Sequence, residues 1–178
     1  AVAREPAEVP EHTELPRTEQ TTPVQPAAKA VYDAGRTLRV LDGETVREMT
    51  LADYLVGVTA AEMPASFAEE ALKAQAARTY TLYKLTAGSS HGDTADICTD
   101  STCCQAYIAM EQARANWGAQ ADAYEKKVRD AVTSTDGEAI LYGGVPILAV
   151  FHSSSAGKTA GAGDVWSGDM PYLRSVDS

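Results

Sequence analysis

The sequence lacks several features that would place it in a large class of proteins. Its three cysteines are too few for a disulfide-stapled miniprotein, and no apolar run approaches the roughly 20 residues of a membrane-spanning helix. Basic residues are scarce: 15 Lys+Arg stand against 25 Asp+Glu, giving a net charge of −10. Because phosphates need a basic face, this composition excludes a nucleic-acid partner. The hydrophobic content of 44% still suffices for a packed core, so we expect one folded domain.

Residues 1–29 differ from the rest of the chain. They contain five of the eight prolines and neither glycine nor any aromatic residue. Such a segment cannot bury enough apolar surface to offset the entropy of ordering it. We therefore expect a flexible Pro/Glu/Thr-rich linker, or an inert tail, before a domain over residues 30–178. The chain begins at Ala1 rather than Met, which predicts a removed upstream signal or anchor and a membrane-tethered, extracytoplasmic location.

Helix and hairpin signals alternate irregularly after residue 30. Asp42-Gly43 is a hairpin turn signal between two alternating runs, and Thr50 with Asp53 predicts a capped short helix that ends about Gly57. Further patterns predict helices over residues 69–85 and 119–132, and a second hairpin over 138–151 around Gly143-Gly144. The absence of repeated strand–helix–strand units predicts an α+β fold around a single core.

Glu62 is the first candidate for chemistry. It is the only carboxylate between Asp53 and Glu69, and its neighbours are apolar. Burial would favour the protonated form of such a side chain, which is the form that a general acid needs. The alternative is a glutamate that turns outward at a helix end before Pro64.

His91, Cys98, Cys103 and Cys104 fall within fourteen residues. A Cys₃His set can close a tetrahedral zinc site. A disulfide between Cys98 and Cys104 is equally compatible with this spacing, so both interpretations stay open from the residues alone.

A polar turn, Ser153-Ser154-Ser155, follows His152. A serine hydrolase is a weak interpretation because the Gly-x-Ser-x-Gly elbow is absent. We expect instead a loop whose hydroxyl groups meet a sugar or another polar ligand. Lys73, Arg78 and Tyr80 lie on the helix after Glu62, where such side chains are usually solvated.

These segments together resemble the stage II sporulation protein D (SpoIID) family, also called the SpoIID/LytB or amidase-enhancer domain. The resemblance runs in order through nearly all of residues 36 to 178. Its matching segments are Tyr54 to Phe67, Glu70 to Tyr80, Cys98 to Tyr107, Phe151 to Ser155, Val165-Trp166, and Pro171 to Leu173.

The resemblance implies a lytic transglycosylase that cleaves stem-peptide-free peptidoglycan strands to 1,6-anhydro products. It further implies a role in the engulfment septum during sporulation, with a peptidoglycan amidase and a membrane partner. Glu62 of the Ala-Glu-Met-Pro motif would be the catalytic acid, and one carboxyl suffices because the sugar's own C6 hydroxyl attacks. A non-catalytic glycan-binding, amidase-enhancing module is the alternative.

Other assignments follow from the same resemblance. It implies substrate binding by Lys73, Arg78, Tyr80 and the Ser153–Ser155 turn, although Ala156 stands where many members have glycine. It also favours a structural zinc ion on His91, Cys98, Cys103 and Cys104 over the disulfide. Family domains usually continue beyond the Pro171-Tyr172-Leu173 segment, so we expect that a C-terminal portion is missing.

Overall fold

The computed structural model describes residues 33–62, 70–151, 156–166, 168 and 170–177. Helices and small sheets are mixed along these segments, which confirms the predicted α+β class. The expected linker over residues 1–29 lies outside the described residues, as does the Ser153–Ser155 turn. None of the described helices is both long and apolar enough to cross a membrane.

A β-hairpin forms the edge of the main sheet. β1 (Thr37–Asp42) pairs antiparallel with β2 (Thr45–Thr50), with Leu38 opposite Met49. Gly43 has φ of +60° in the turn between them, a conformation that glycine adopts without steric cost. The hairpin predicted at Asp42-Gly43 is therefore confirmed. A third strand, β3 (Ile97–Cys98), joins β1 in parallel and completes the order β2-β1-β3.

Helix α1 (Leu51–Glu62) begins directly after β2. The Thr50 Oγ1 accepts a hydrogen bond from the Asp53 backbone N–H at 3.1 Å, and the Thr50 hydroxyl donates to the Asp53 carboxylate at 2.7 Å. The predicted cap at the start of the helix is confirmed. Its predicted end about Gly57 is wrong, because the helix continues through this glycine to Glu62. A glycine costs a helix only about 1 kcal/mol, which tertiary packing outweighs here.

Three further helices pack around α1. They are α2 (Glu70–Ala87), α3 (Met110–Trp117) and α4 (Ala121–Ser134). The sequence predicted α2 and α4 within two residues at each described end, but it did not predict α3. Gly88 ends α2 with φ of +93°. The buried core joins side chains from the sheet, α1, α2 and α4, among them Leu38, Val40, Tyr54, Leu55, Val58, Ala77, Ile97, Val128 and Val132.

The C-terminal part of the chain has shorter elements. β4 (Leu141–Tyr142) and β5 (Val145–Pro146) form a hairpin around Gly143-Gly144, so its predicted place is confirmed while its strands are shorter than expected. A short helix, α5 (Ala162–Val165), follows. Thr159 pairs with Val176, whose carbonyl oxygen accepts from the Thr159 N–H at 2.8 Å.

Candidate functional site

Glu62 is the last residue of α1 and its side chain is half-buried. Its Oε1 accepts a hydrogen bond from the Ala106 backbone N–H at 3.1 Å. Within the described part of the chain, no donor is bonded to Oε2. The carboxyl group is thus held at one of its two oxygens by the backbone of the segment that follows the cysteines.

The side chain of Gln105, the residue before Ala106, hydrogen-bonds this segment to α2. Gln105 is buried. Its Oε1 accepts from the Thr81 hydroxyl at 2.7 Å, and its Nε2 donates to the Ala77 carbonyl oxygen at 3.3 Å. A buried amide that is bonded at both ends fixes the backbone on either side of it. The anchored Gln105 is the immediate neighbour of Ala106, whose N–H donates to Glu62.

The side chain of Tyr107, the residue after Ala106, packs the same segment against α1. The Tyr107 ring stacks on Tyr54 with centroids 5.8 Å apart and planes 9° apart. It also lies directly over Gly57, where an added Cβ would fall 2.2 Å from the nearest ring atom. The Ile108 N–H donates to the Gly57 carbonyl oxygen at 3.3 Å. Gly57 is thus a site of close approach within the helix.

The four proposed metal ligands converge immediately before this segment. The His91 Nε2 lies 3.7 Å from the Cys103 Sγ and 3.5 Å from the Cys104 Sγ, and the two Sγ atoms are 3.9 Å apart. Together with the Cys98 Sγ, all four ligand atoms lie within 4.8 Å of one another. Zinc–sulfur bonds of about 2.3 Å place the ligands of a tetrahedral site about 3.8 Å apart. The four side chains therefore fit a zinc ion.

All three cysteines are free in the structure, so Cys98 and Cys104 are not bridged by the alternative disulfide. Burial raises the pKa of the Cys98 thiol to about 12. The Ser90 hydroxyl has the opposite effect on its neighbour and holds the pKa of Cys103 below its ordinary value. A bound cation would deprotonate both thiols, because it favours their thiolate forms.

Two helices hold the cysteine loop in place. The Tyr54 hydroxyl donates to the Cys98 carbonyl oxygen at 3.0 Å from α1, and the Lys84 Nζ donates to the Cys103 carbonyl oxygen at 3.0 Å from α2. Cys98 itself belongs to β3. The metal-ligand cluster is therefore continuous with the core of the protein and, through Cys104 and Gln105, with the Ala106 N–H that meets Glu62.

Arg78 differs most from its expected environment. The residues alone predicted a solvated side chain, and the resemblance implied one that binds sugar or orients the acid, but Arg78 is completely buried. Its Nε donates to the Asp33 carboxylate at 2.6 Å, and its terminal nitrogens donate to Thr135 Oγ1 and the Val132 carbonyl oxygen, each at 2.9 Å. The expectation of solvation is wrong. The guanidinium group joins Asp33, the first residue that the structure describes, to the end of α4, and its contact to a sugar stays a prediction.

Tyr80 and Lys73 are both half-buried on α2. Burial, reinforced by the neighbouring Cys104, raises the pKa of Tyr80, so its phenol remains a neutral hydrogen-bond donor at neutral pH. Sequence reasoning missed Gly57, Tyr107 and the Asp33 partner of Arg78. A glycine inside a strong helix pattern was the available signal for a close approach.

A model of the SpoIID family, described as "Stage II sporulation protein", matches residues 42–142, more than half of the chain. The chain belongs to the SpoIID family. It is 38% identical to "Stage II sporulation protein D" of Bacillus subtilis (strain 168) over 76% of this chain and 40% of that protein. It is 37% identical to the protein of the same name in Bacillus amyloliquefaciens over 100% of this chain and 51% of that protein.

A third relative carries a different name. The "Amidase enhancer" of Bacillus subtilis (strain 168) is 37% identical over 67% of this chain and 14% of its own length. The chain thus spans about half, or less, of the length of the curated relatives that it matches. The four candidate metal ligands, His91, Cys98, Cys103 and Cys104, lie inside the residues that the family model matches, as do Glu62 and Gln105.

Proposed function

We propose that this SpoIID domain is a lytic transglycosylase that acts on bacterial peptidoglycan. The observation that carries the proposal is the geometry of Glu62, whose half-buried carboxyl accepts a hydrogen bond at one oxygen from the Ala106 N–H at 3.1 Å. An ordinary glycosidase places a second carboxylate about 5–9.5 Å from the first. A lytic transglycosylase needs no second carboxylate, because the attacking hydroxyl belongs to the substrate.

In the proposed reaction, the Glu62 carboxyl first acts as an acid. It donates its proton to the oxygen between N-acetylmuramic acid and N-acetylglucosamine, and the C1–O bond of the muramyl sugar breaks through an oxocarbenium-like transition state. The resulting Glu62 carboxylate then takes the proton of the muramyl C6 hydroxyl. That oxygen bonds to C1 and closes the 1,6-anhydro ring, which returns Glu62 to its protonated state without consuming water.

The protein groups around Glu62 support both steps. The hydrogen bond from Ala106 stabilises the carboxylate that forms after the first proton transfer, as a backbone N–H does for an anion. Gln105 and Tyr107 keep this donor in place from opposite sides. Tyr80 and Lys73 remain predicted contacts to the sugar, and so does the Ser153–Ser155 turn.

His91, Cys98, Cys103 and Cys104 would hold the metal ion, for which we propose zinc. A site closed by four protein ligands leaves no open position, so the ion would stabilise the loop and take no part in the reaction. Its effect on Glu62 would be indirect, because Cys104 is followed at once by Gln105 and Ala106.

The natural substrate that we propose is glycan without stem peptides, since a partner amidase would remove these peptides first. The name of the amidase-enhancer relative supports a working link to such an enzyme. The names of the two sporulation relatives support a role in septal wall remodelling during sporulation. Work with an amidase and remodelling of the septal wall would both place the domain outside the cytoplasm. There it would be tethered to the membrane, next to the amidase and a membrane partner.

The decisive experiment is digestion of stem-peptide-free glycan, with mass spectrometry of the products. The wild-type protein should release 1,6-anhydromuramyl ends, and Glu62→Gln should release none, although its amide oxygen can still accept from Ala106. Glu48→Gln, an exposed position on β2, is the matched control and should digest normally. Reducing muramic acid ends, or an active Glu62→Gln variant, would contradict the proposal.

The relative's name also favours one second candidate, a non-catalytic module that binds glycan and stimulates an amidase. This alternative predicts tight glycan binding and amidase stimulation that are unchanged in Glu62→Gln, without cleavage of any glycosidic bond. The same set of variants therefore distinguishes the two functions.

A further inference from the structure

Thr81 lies on α2 and is completely buried. Its Oγ1 lies 2.7 Å from the Gln105 Oε1 and 2.9 Å from the Ala77 carbonyl oxygen. A hydroxyl group has one proton to donate, so it bonds to one of these two acceptors at a time. Because Ala77 and Gln105 are buried as well, the acceptor that this proton does not serve has to find its donor within the protein.

The amide of Gln105 decides where the Thr81 proton goes. Its Nε2 donates to the Ala77 carbonyl oxygen at 3.3 Å, so that oxygen is already paired and the proton is available to the Gln105 Oε1. Reversing the amide would place Oε1 against the Ala77 carbonyl oxygen, which gives two acceptors with no proton between them. The Thr81 hydroxyl therefore fixes the orientation of the amide.

The oriented amide belongs to the residue directly before Ala106. The Ala106 N–H donates to the Glu62 Oε1 at 3.1 Å. Because the peptide group that carries this N–H is planar, its direction is set by the backbone angle at Gln105. A side chain that is bonded at both ends restricts that angle. The contacts on α2 are thereby transmitted to the end of α1, where Glu62 lies.

Stability alone does not explain a polar pair in this position. Two apolar side chains of the same shape can replace a buried hydrogen-bonded pair at little cost in stability. Apolar contacts are also non-directional, whereas a hydrogen bond has a preferred distance and angle. What the pair of Thr81 and Gln105 adds to the core is a defined orientation of the segment that meets Glu62.

We propose that Thr81 is a positioning residue for Glu62. Its hydroxyl orients the Gln105 amide, and the oriented amide holds the Ala106 N–H on the Glu62 carboxyl group. The effect on catalysis rests on the proposed function, whereas the placement of the N–H rests on the contacts alone.

Hydrogen exchange of the Ala106 amide, followed by NMR, tests this placement without any substrate. Thr81→Val keeps the shape of the side chain but removes the donor, and Thr81→Ser keeps the donor. Relative to the Ala113 amide on α3, which is bonded within the backbone at 3.0 Å, exchange at Ala106 should be about tenfold faster in Thr81→Val and within about twofold of wild type in Thr81→Ser.

A second threonine on α2 provides the matched control. The Thr86 hydroxyl also donates to the carbonyl oxygen four residues earlier, at 2.8 Å, but Thr86 is exposed. Thr86→Val therefore removes the same kind of bond within the helix and should leave exchange at Ala106 unchanged.

The double variant Thr81→Val/Gln105→Met separates positioning from stability. Thr81→Val alone leaves the buried Gln105 Oε1 unpaired, whereas the double variant replaces both polar groups by apolar ones, so its melting midpoint should recover toward wild type. Release of anhydro products should not recover. We expect kcat to stay about tenfold or more below wild type, with KM for stem-peptide-free glycan within about twofold of wild type. A merely structural pair would regain kcat together with the midpoint.

The outcomes also separate this proposal from the proposed function. Unchanged exchange at Ala106 in Thr81→Val, or a double variant that cleaves glycan at the wild-type rate, would overturn the positioning role. If exchange at Ala106 depends on the Thr81 hydroxyl while the wild-type protein releases no anhydro products, the placement of the N–H stands and the transglycosylase fails. If the double variant and the wild type release anhydro products equally well, the transglycosylase stands and Thr81 is not a positioning residue.

Discussion

Replacing Gly57 by alanine should disturb the site around Glu62 through the Tyr107 ring. The added Cβ would lie 2.2, 2.6 and 2.8 Å from three ring atoms. Ordinary contact begins at 3.4 Å, so the nearest ring atom must retreat by about 1.2 Å, the difference between 3.4 and 2.2 Å. Tyr107 is the second residue after Gln105 and the first after Ala106. A shift of this size therefore moves the N–H that is bonded to Glu62.

The expected change in stability has two opposing parts. Overpacking a well-filled position costs about 1–3 kcal/mol, whereas alanine in place of glycine inside a helix stabilises by about 1 kcal/mol. The free energy of unfolding should therefore fall by roughly 0–2 kcal/mol, taking those two ranges together. This corresponds to a midpoint about 0–8 °C lower for a chain of this size. Glycan cleavage should fall about tenfold or more, because catalysis is sensitive to displacements of about 1 Å.

Circular dichroism melting and the anhydro-product assay measure the two effects. Gly163→Ala on α5 is the matched stability control, since an added Cβ meets nothing within 4 Å there. In a Tyr107→Leu background, Gly57→Ala should become neutral or stabilising, because the ring that it strikes is gone. A Gly57→Ala protein with full cleavage activity and a higher midpoint would refute the reasoning.

Three further predictions concern other parts of the molecule. Arg78→Met should lower the free energy of unfolding by about 3–5 kcal/mol, because it leaves the buried Asp33 carboxylate without its counter-charge. Denaturant titration should show that the double variant Arg78→Met/Asp33→Leu recovers part of the lost free energy of unfolding. Elemental analysis should find one zinc ion per chain, and chelation should lower the melting midpoint until zinc is restored; a metal-free protein with an unchanged midpoint would contradict this. Hydrogen bonds from Arg114 and Arg129 hold the pKa of Glu125 below 4.5 in the folded protein. The stability that Glu125 adds over Glu125→Gln should therefore be present above pH 4.5 and disappear as the pH falls through the lower folded pKa. A difference in melting midpoint between the two proteins that stays constant from about pH 7 to pH 3 would count against this.

Local patterns predicted the local parts of the fold. The Asp42-Gly43 turn and the Thr50 cap each depend on contacts within three or four residues, so a short stretch of sequence contains all the interacting groups. The closeness of His91 and the three cysteines in the chain likewise predicted their convergence in space. Order and spacing of the motifs predicted the family.

Long-range contacts account for the failures. Arg78 is buried because Asp33, 45 residues earlier, supplies its counter-charge, and no pattern on α2 indicates that partner. The helix continues through Gly57 because Tyr107, 50 residues later, packs over it. Burial on α2 is likewise not confined to one face. The consecutive residues Ala77, Arg78 and Thr79 are all buried, since α2 is covered on more than one side.

The parallel pairing of β3 with β1 sets an order on how the molecule is assembled. Val40 pairs with Ile97 and Leu41 pairs with Cys98. Because α1 and α2 lie between β1 and β3 in the chain, this pairing closes a loop that contains both helices. Contacts that close such long loops form late in folding. Cys98 lies on β3, so it reaches its buried place beside β1 only after α1 and α2 have been brought together with the sheet.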